Sequence, residues 1–183
     1  IQLFTAILGK FGIETTYVDM ADLAAWQSAV KPNTKMFYLE TPSNPLTEVG
    51  DIAAISKIAK AAGALCVVDN CFCTPALQKP LALGADVVIH SATKYLDGQG
   101  RVLGGAIVGT QEFVLGKVFP YVRTAGPTLS AFNAWVILKG LETLSLRMKA
   151  HSEGAQKLAE YLKQHDKVEK VYRWLSNPYG LHM

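Results

Sequence analysis

Lys94 has the most chemistry to offer in this chain. It follows the apolar run Asp86-Val87-Val88-Ile89-His90, and two hydroxyls spaced two apart, Ser91 and Thr93, precede it. A lysine just past a buried strand can lose its proton through desolvation and attack an aldehyde, while hydroxyls can face a phosphate. An amine nucleophile beside phosphate-sized hydroxyls suggests pyridoxal phosphate (PLP). The pentapeptide Ser91-Ala92-Thr93-Lys94-Tyr95 also has a plain reading, because hydroxyls near strand ends are common and most lysines are solvated surface charges. Its surroundings have to decide.

Asp69 comes straight after the apolar run Cys66-Val67-Val68. Burying a carboxylate costs several kcal/mol unless it meets a positive charge. A protonated pyridine nitrogen would supply one, and Asp69 would in turn keep that nitrogen protonated and the ring an effective electron sink. The alternative is that Asp69 caps the turn from Asn70 to Pro75. Asp69 and Lys94 lie about one strand–helix–strand unit apart. That spacing sets both at the carboxyl ends of neighbouring strands, where ligands gather in open parallel sheets. Ser91 and Thr93 share a face if the strand persists that far, and with nearby backbone N–H groups they suit a phosphate dianion. Glu40 ends a third such strand, beside the loop Thr41-Pro42-Ser43-Asn44-Pro45.

The elements that must position these residues alternate between helical and strand-like patterns up to about residue 109, the mark of an α/β fold with a mostly parallel sheet and helices on both faces. Helices are expected over residues 1–10, from Asp19 or Asp22 to Val30, from Asp51 to Gly63, and in a short piece around Ala76 to Leu83. Strands are expected at Glu14–Val18, Lys35–Glu40, Leu65–Val68, Val87–Ile89 and Ala106–Val108. Residues 111–119 and 130–165 read as helix, broken at Pro120 and Gly126-Pro127. This gives a domain over residues 1–130 and a helical connection over 131–183.

Half of the 183 residues are hydrophobic and 18% are charged, enough apolar material for a real core. The net charge of +3 is spread without a dense basic run, so neither nucleic acid nor an acidic membrane surface is an expected partner. No apolar stretch reaches the ~18 to 20 residues that span a bilayer, and no signal-peptide pattern opens the chain. The three cysteines, Cys66, Cys71 and Cys73, are odd in number and read as free thiols in a reducing cytoplasm. Cys71-x-Cys73 lacks a second ligand pair, so no metal site is expected. A plain nucleotide-binding module is disfavoured, because Gly98-Gln99-Gly100 has no third glycine at the needed spacing and no early strand before it.

Val67-Val68-Asp69-Asn70, Thr74-Pro75, Leu77-Gln78, Leu83-Gly84-Ala85-Asp86 and His90-Ser91-Ala92-Thr93-Lys94-Tyr95 together resemble the signature block of the Cys/Met-metabolism PLP enzymes. The resemblance runs from Ile1 to about Tyr172. Asp69-Asn70-Cys71-Phe72-Cys73-Thr74 and Tyr95-Leu96-Asp97-Gly98-Gln99-Gly100-Arg101 look most like the O-succinylhomoserine sulfhydrylase branch. The resemblance implies a fold type I, aspartate-aminotransferase-like large domain, incomplete at both ends. It implies that Lys94 bonds the cofactor and later moves protons on the substrate, that Asp69 pairs with the pyridine nitrogen, and that Ser91 and Thr93 hold the phosphate. It sets Glu40 and Asn44 by the ring and its O3′ side. Cys71, where many members have Thr, could touch the ring or be a small buried hydrophobe. Arg123 matches a family segment and could contact ligand or make a surface or subunit ion pair.

The implied reaction is γ-replacement on an O-acylhomoserine by sulfide, with γ-elimination and cystathionine γ-synthesis as alternatives, in a cytoplasmic homotetramer built as a dimer of dimers. A non-catalytic association module is the alternative of another class. Ile1–Leu8 looks like the middle of an amphipathic helix, and something upstream is expected. The family's Gly-rich phosphate loop, its ring-stacking aromatic and a neighbouring subunit's Tyr and Arg are expected before Ile1, and the substrate-carboxylate arginine after Met183. The 183 residues alone are therefore expected to be poorly active. Residues 173–183 do not fit the family pattern and are expected to be a divergent end.

Overall fold

The structure, a computed structural model, describes residues 1–172. After an irregular helical segment at Leu3–Phe11 come α1 (Leu23–Ser28), β1 (Met36–Glu40), α2 (Ile52–Ala61), β2 (Leu65–Asp69), α3 (Thr74–Leu77), β3 (Val87–Ser91) and β4 (Gly105–Gly109). The helices α4 (Gln111–Phe113), α5 (Phe119–Ala125), α6 (Ala131–Leu141) and α7 (Leu144–Lys163) follow. The four strands form one sheet in the order β1-β2-β3-β4; the first three are parallel and β4 runs antiparallel on β3. No helix among the described residues is long and apolar enough to cross a membrane.

Local sequence explains the supports. Asp22 and Asp51 have extended backbone and accept N–H bonds from Ala24 and Ala25, and from Ala54, which starts α1 and α2. The apolar face of α2, Ile52, Ile55 and Ala59, packs with Phe37, Leu39, Cys66 and Val68 from one face of the sheet, and Trp26 stacks on Phe37 at 5.5 Å. Strand alternation then turns Tyr38 and Glu40, Asp69, and Ser91 to the other face. In register, Glu40 stands beside Asp69 and Asp69 beside Ile89.

Three expectations about elements need correction. Glu14–Val18 forms no strand: its β-branched residues lie mostly exposed and find no sheet edge, so propensity alone does not order them. Pro120 does not break the helical run. The chain passes from α4 through a π-helical turn at Val114–Val118 into α5, and Pro120 sits in the first turn of α5, where a missing N–H is tolerated. β3 ends at Ser91, so Thr93 belongs to the turn after it and does not share Ser91's face by strand period.

That turn is clamped from the helical segment. Arg147 of α7 donates to the carbonyls of Tyr95 and Gly140, each at 2.8 Å, and to the Thr143 hydroxyl at 3.0 Å. Gly140 lets α6 lie against the turn: a Cβ there would overlap the carbonyl oxygens of Leu96 and Asp97. Because those obstacles are backbone, Gly140→Ala is expected to push α6 off the turn and lower stability by about 1–3 kcal/mol. Chemical denaturation of the variant checks this.

Candidate active site

A cavity of roughly 510 Å³ opens at the carboxyl ends of β1, β2 and β3, lined by Glu40, Asn44, Asp69, Cys71, Ser91, Thr93 and Lys94, with Phe72, Tyr95, Gly98, Gly100 and His151. Its size falls in the range of small-molecule sites. Arg123, also a candidate from sequence, stands apart: it is an exposed residue of α5, outside the cavity lining and in no ion pair among the described residues.

Each group is held in a definite way. The Asp69 carboxylate accepts the Tyr38 hydroxyl on Oδ2 and the Cys71 N–H on Oδ1, both at 3.1 Å. Among the described residues it meets no cation. Burial, then the neighbouring Asp69 charge, pushes the Glu40 carboxyl above its ordinary range, against the opposing pull of the Asn44 N–H. Lys94 lies at a non-helical kink (φ −87°, ψ −124°) inside an otherwise helical turn, and its amine pairs with no carboxylate among the described residues.

The hydroxyls differ. Ser91 leaves its hydroxyl open while its N–H donates to Cys71 Sγ at 2.8 Å. Thr93 exchanges hydrogen bonds with Gly104, donating to its carbonyl and accepting its N–H, and the Gly104 carbonyl also takes the N–H groups of Ala92 and Thr93. The backbone donors of residues 91–93 are thus already engaged within the chain, which leaves the Ser91 hydroxyl as the open donor there.

A buried polar network joins the loops around the site. Asn70 donates to the carbonyls of Thr74 and Gln78, and Gln78 donates to the Thr41 carbonyl and the Asn70 side-chain oxygen, at 2.9–3.2 Å. The network holds Thr74 at φ 58°, a conformation a β-branched residue adopts only when its surroundings impose it. It also fixes the Thr41–Pro45 loop, both of whose X–Pro bonds are cis, against the segment carrying Cys71 and Phe72.

His151, Phe72, Tyr95 and the two glycines had no assigned role from sequence. His151 reaches the cavity from α7, packing on the Tyr95 ring at 5.4 Å. Its signal is the four-residue step from Arg147, which sets both on one side of a helix that buries Leu144 and Met148.

Burial pushes the Cys71 and Cys73 thiols up to about 12, the Asp69 hydrogen bond adding to the effect on Cys71. Both are therefore expected to resist alkylation at pH 8 in the folded protein and to react after unfolding, which mass spectrometry of carbamidomethylated peptides would read. Since the folded state keeps these protons above the pH at which unfolded thiols ionise, stability from them is full below about pH 9 and falls as pH rises toward 12.

The donor set fits PLP: an unpaired amine, an open hydroxyl, and a carboxylate facing the cavity whose missing cation a protonated ring nitrogen would supply. The description "Cys/Met metabolism PLP-dependent enzyme" matches residues 1–177, past the Tyr172 at which the motif resemblance ends. The expectation of a divergent end at 173–183 lies outside the described residues, and the match corrects it for 173–177. The chain is 60% identical over 172 residues to O-succinylhomoserine sulfhydrylase of Pseudomonas aeruginosa, covering 94% of this chain and 42% of that protein. It is 50% identical over 167 residues to L-methionine gamma-lyase of Treponema denticola, covering 90% and 42%. The solved structure of cystathionine gamma-lyase from Lactobacillus plantarum complexed with L-serine superposes with a TM-score of 0.89 at 46% identity, over 93% of this chain and 45% of that one. The chain thus spans about half the length, or less, of the curated relatives it matches. From its motifs, its cavity and these likenesses, the chain belongs to the Cys/Met metabolism PLP-dependent enzyme family.

Proposed function

We propose that this chain carries the cofactor half of a PLP-dependent γ-replacement enzyme, converting O-succinylhomoserine and sulfide to homocysteine and succinate. The observation that carries the reading is the placement of Lys94, Asp69 and the open Ser91 hydroxyl on one cavity. The choice of substrate rests on the 60% identical sulfhydrylase. When bound, PLP supplies the electron sink that stabilises carbanions next to the substrate amine.

The chain's own residues then have distinct tasks. Lys94 would hold the cofactor at its aldehyde and, with its amine free, would take and return protons on the substrate carbons. Asp69, fixed by Tyr38 and the Cys71 N–H, keeps the ring nitrogen protonated. Ser91 would hold the phosphate, Thr93 would join it by releasing its bond to the Gly104 carbonyl, and Glu40 and Asn44 would lie by the ring. Cys71 positions Ser91 through its sulfur, and Arg123, exposed on α5, is assigned to a surface or subunit contact.

Residues 1–130 serve as the cofactor domain and 131–183 as the helical connection. The holoenzyme works as a cytoplasmic homotetramer, in keeping with three free thiols. Assays with O-succinyl-, O-acetyl- and O-phosphohomoserine, each with sulfide or cysteine, test the substrate choice. The likeness to L-methionine gamma-lyase favours γ-elimination as a second reading. Oxo-acid and ammonia released without added sulfide would replace the first reading with the second.

A further inference from the structure

Tyr38 lies two residues before Glu40 on β1, so strand alternation turns both side chains to the face that carries the cavity. The register pairs Tyr38 with Val67 and Glu40 with Asp69, and the phenol reaches along the strand to place its hydroxyl 3.1 Å from Asp69 Oδ2. Its ring is held by the edge of Phe4, centroids 5.0 Å apart at 65°. Tyr38 is not part of the cavity lining; it holds Asp69 without facing the ligand space itself.

We infer that Tyr38 is a positioning residue for Asp69, fixing the carboxylate that faces the cofactor ring and setting how much of its negative charge the ring nitrogen meets. The inference rests on the function proposed above. The carboxylate has one donor on each oxygen, Tyr38 on Oδ2 and the Cys71 N–H on Oδ1, so its plane is fixed and each oxygen keeps acceptor capacity for the ring. Burial and then the Asp69 charge push the Tyr38 hydroxyl above its ordinary value, so it stays a donor across the working pH range. If Tyr38 served only to pack on Phe4, a phenylalanine would serve equally and avoid burying a hydroxyl. The other titratable groups facing Asp69 are Glu40 beside it on β1, the Cys71 thiol after β2 and Lys94 across the cavity, while His90 of β3 turns to the opposite face yet still feels the Asp69 charge.

The test is the pH midpoint of the visible absorbance band of the holoenzyme. Tyr38→Phe leaves the carboxylate's charge less shared, so the midpoint is expected to rise by roughly half a unit, a hydrogen bond of ordinary strength felt at one remove. Retention of PLP on dialysis is expected to weaken about tenfold as Asp69 loses its orientation. 3-Fluorotyrosine at position 38, a stronger donor of nearly the same shape, is expected to move the midpoint down and to serve where the phenylalanine variant folds poorly. A band present in the wild type but unmoved by both replacements would overturn the role of Tyr38 alone, as would a lower Tm with an unchanged midpoint. A wild-type protein that shows no such band with PLP would remove the proposed function and this inference with it.

Discussion

Replacing Lys94 with alanine is expected to abolish the visible band of the bound cofactor and to lower kcat by about a thousandfold or more, since both the covalent anchor and the proton carrier are lost. Nothing else on the cavity wall can substitute. Among the lining residues Lys94 has the only primary amine, and no carboxylate among the described residues ties it up. The fold should survive, because the turn is held by backbone bonds to Gly104 and by Arg147 rather than by the lysine side chain. Borohydride reduction of the wild-type holoenzyme should fix the cofactor on the Lys94 peptide. Labelling of another lysine would refute the assignment.

Asp69→Asn is expected to separate charge from shape. Asparagine can still accept the Cys71 N–H on its one oxygen while its NH2 donates to the Tyr38 oxygen with the hydroxyl turned away, so the shape of the site is kept and Tm should change little. The negative charge that holds the ring nitrogen protonated is gone, and kcat is expected to fall about a hundredfold to a thousandfold, with a smaller loss in cofactor affinity. The measurement is kcat and KM at saturating PLP beside a thermal melt. A variant with wild-type kcat would return Asp69 to the plainer role of capping the turn that follows it.

The strand ends were legible because short apolar runs, each followed by a polar residue, carry their own punctuation. Val67-Val68-Asp69 and Val88-Ile89-His90-Ser91 could hardly be anything but buried strands delivering groups to an edge. Glu14–Val18 misled because β-propensity says what fits a sheet and not whether an edge is there to receive it. No local pattern shows where the backbone donors near Ser91 go, because Gly104 and Cys71, distant in sequence, take them in the folded chain. His151 and Arg147 stayed unread because a helical pattern shows which face is apolar but not which neighbour the polar flank meets. Tyr38 lies inside β1, and the period of two that puts it on the Glu40 face does not show that its hydroxyl reaches Asp69 on the next strand.

The bond from Arg147 to the Tyr95 carbonyl spans 52 residues of sequence. During synthesis the sheet and Lys94 emerge before α7 does. The turn that presents the lysine therefore gets its clamp only from a helix made later in the chain.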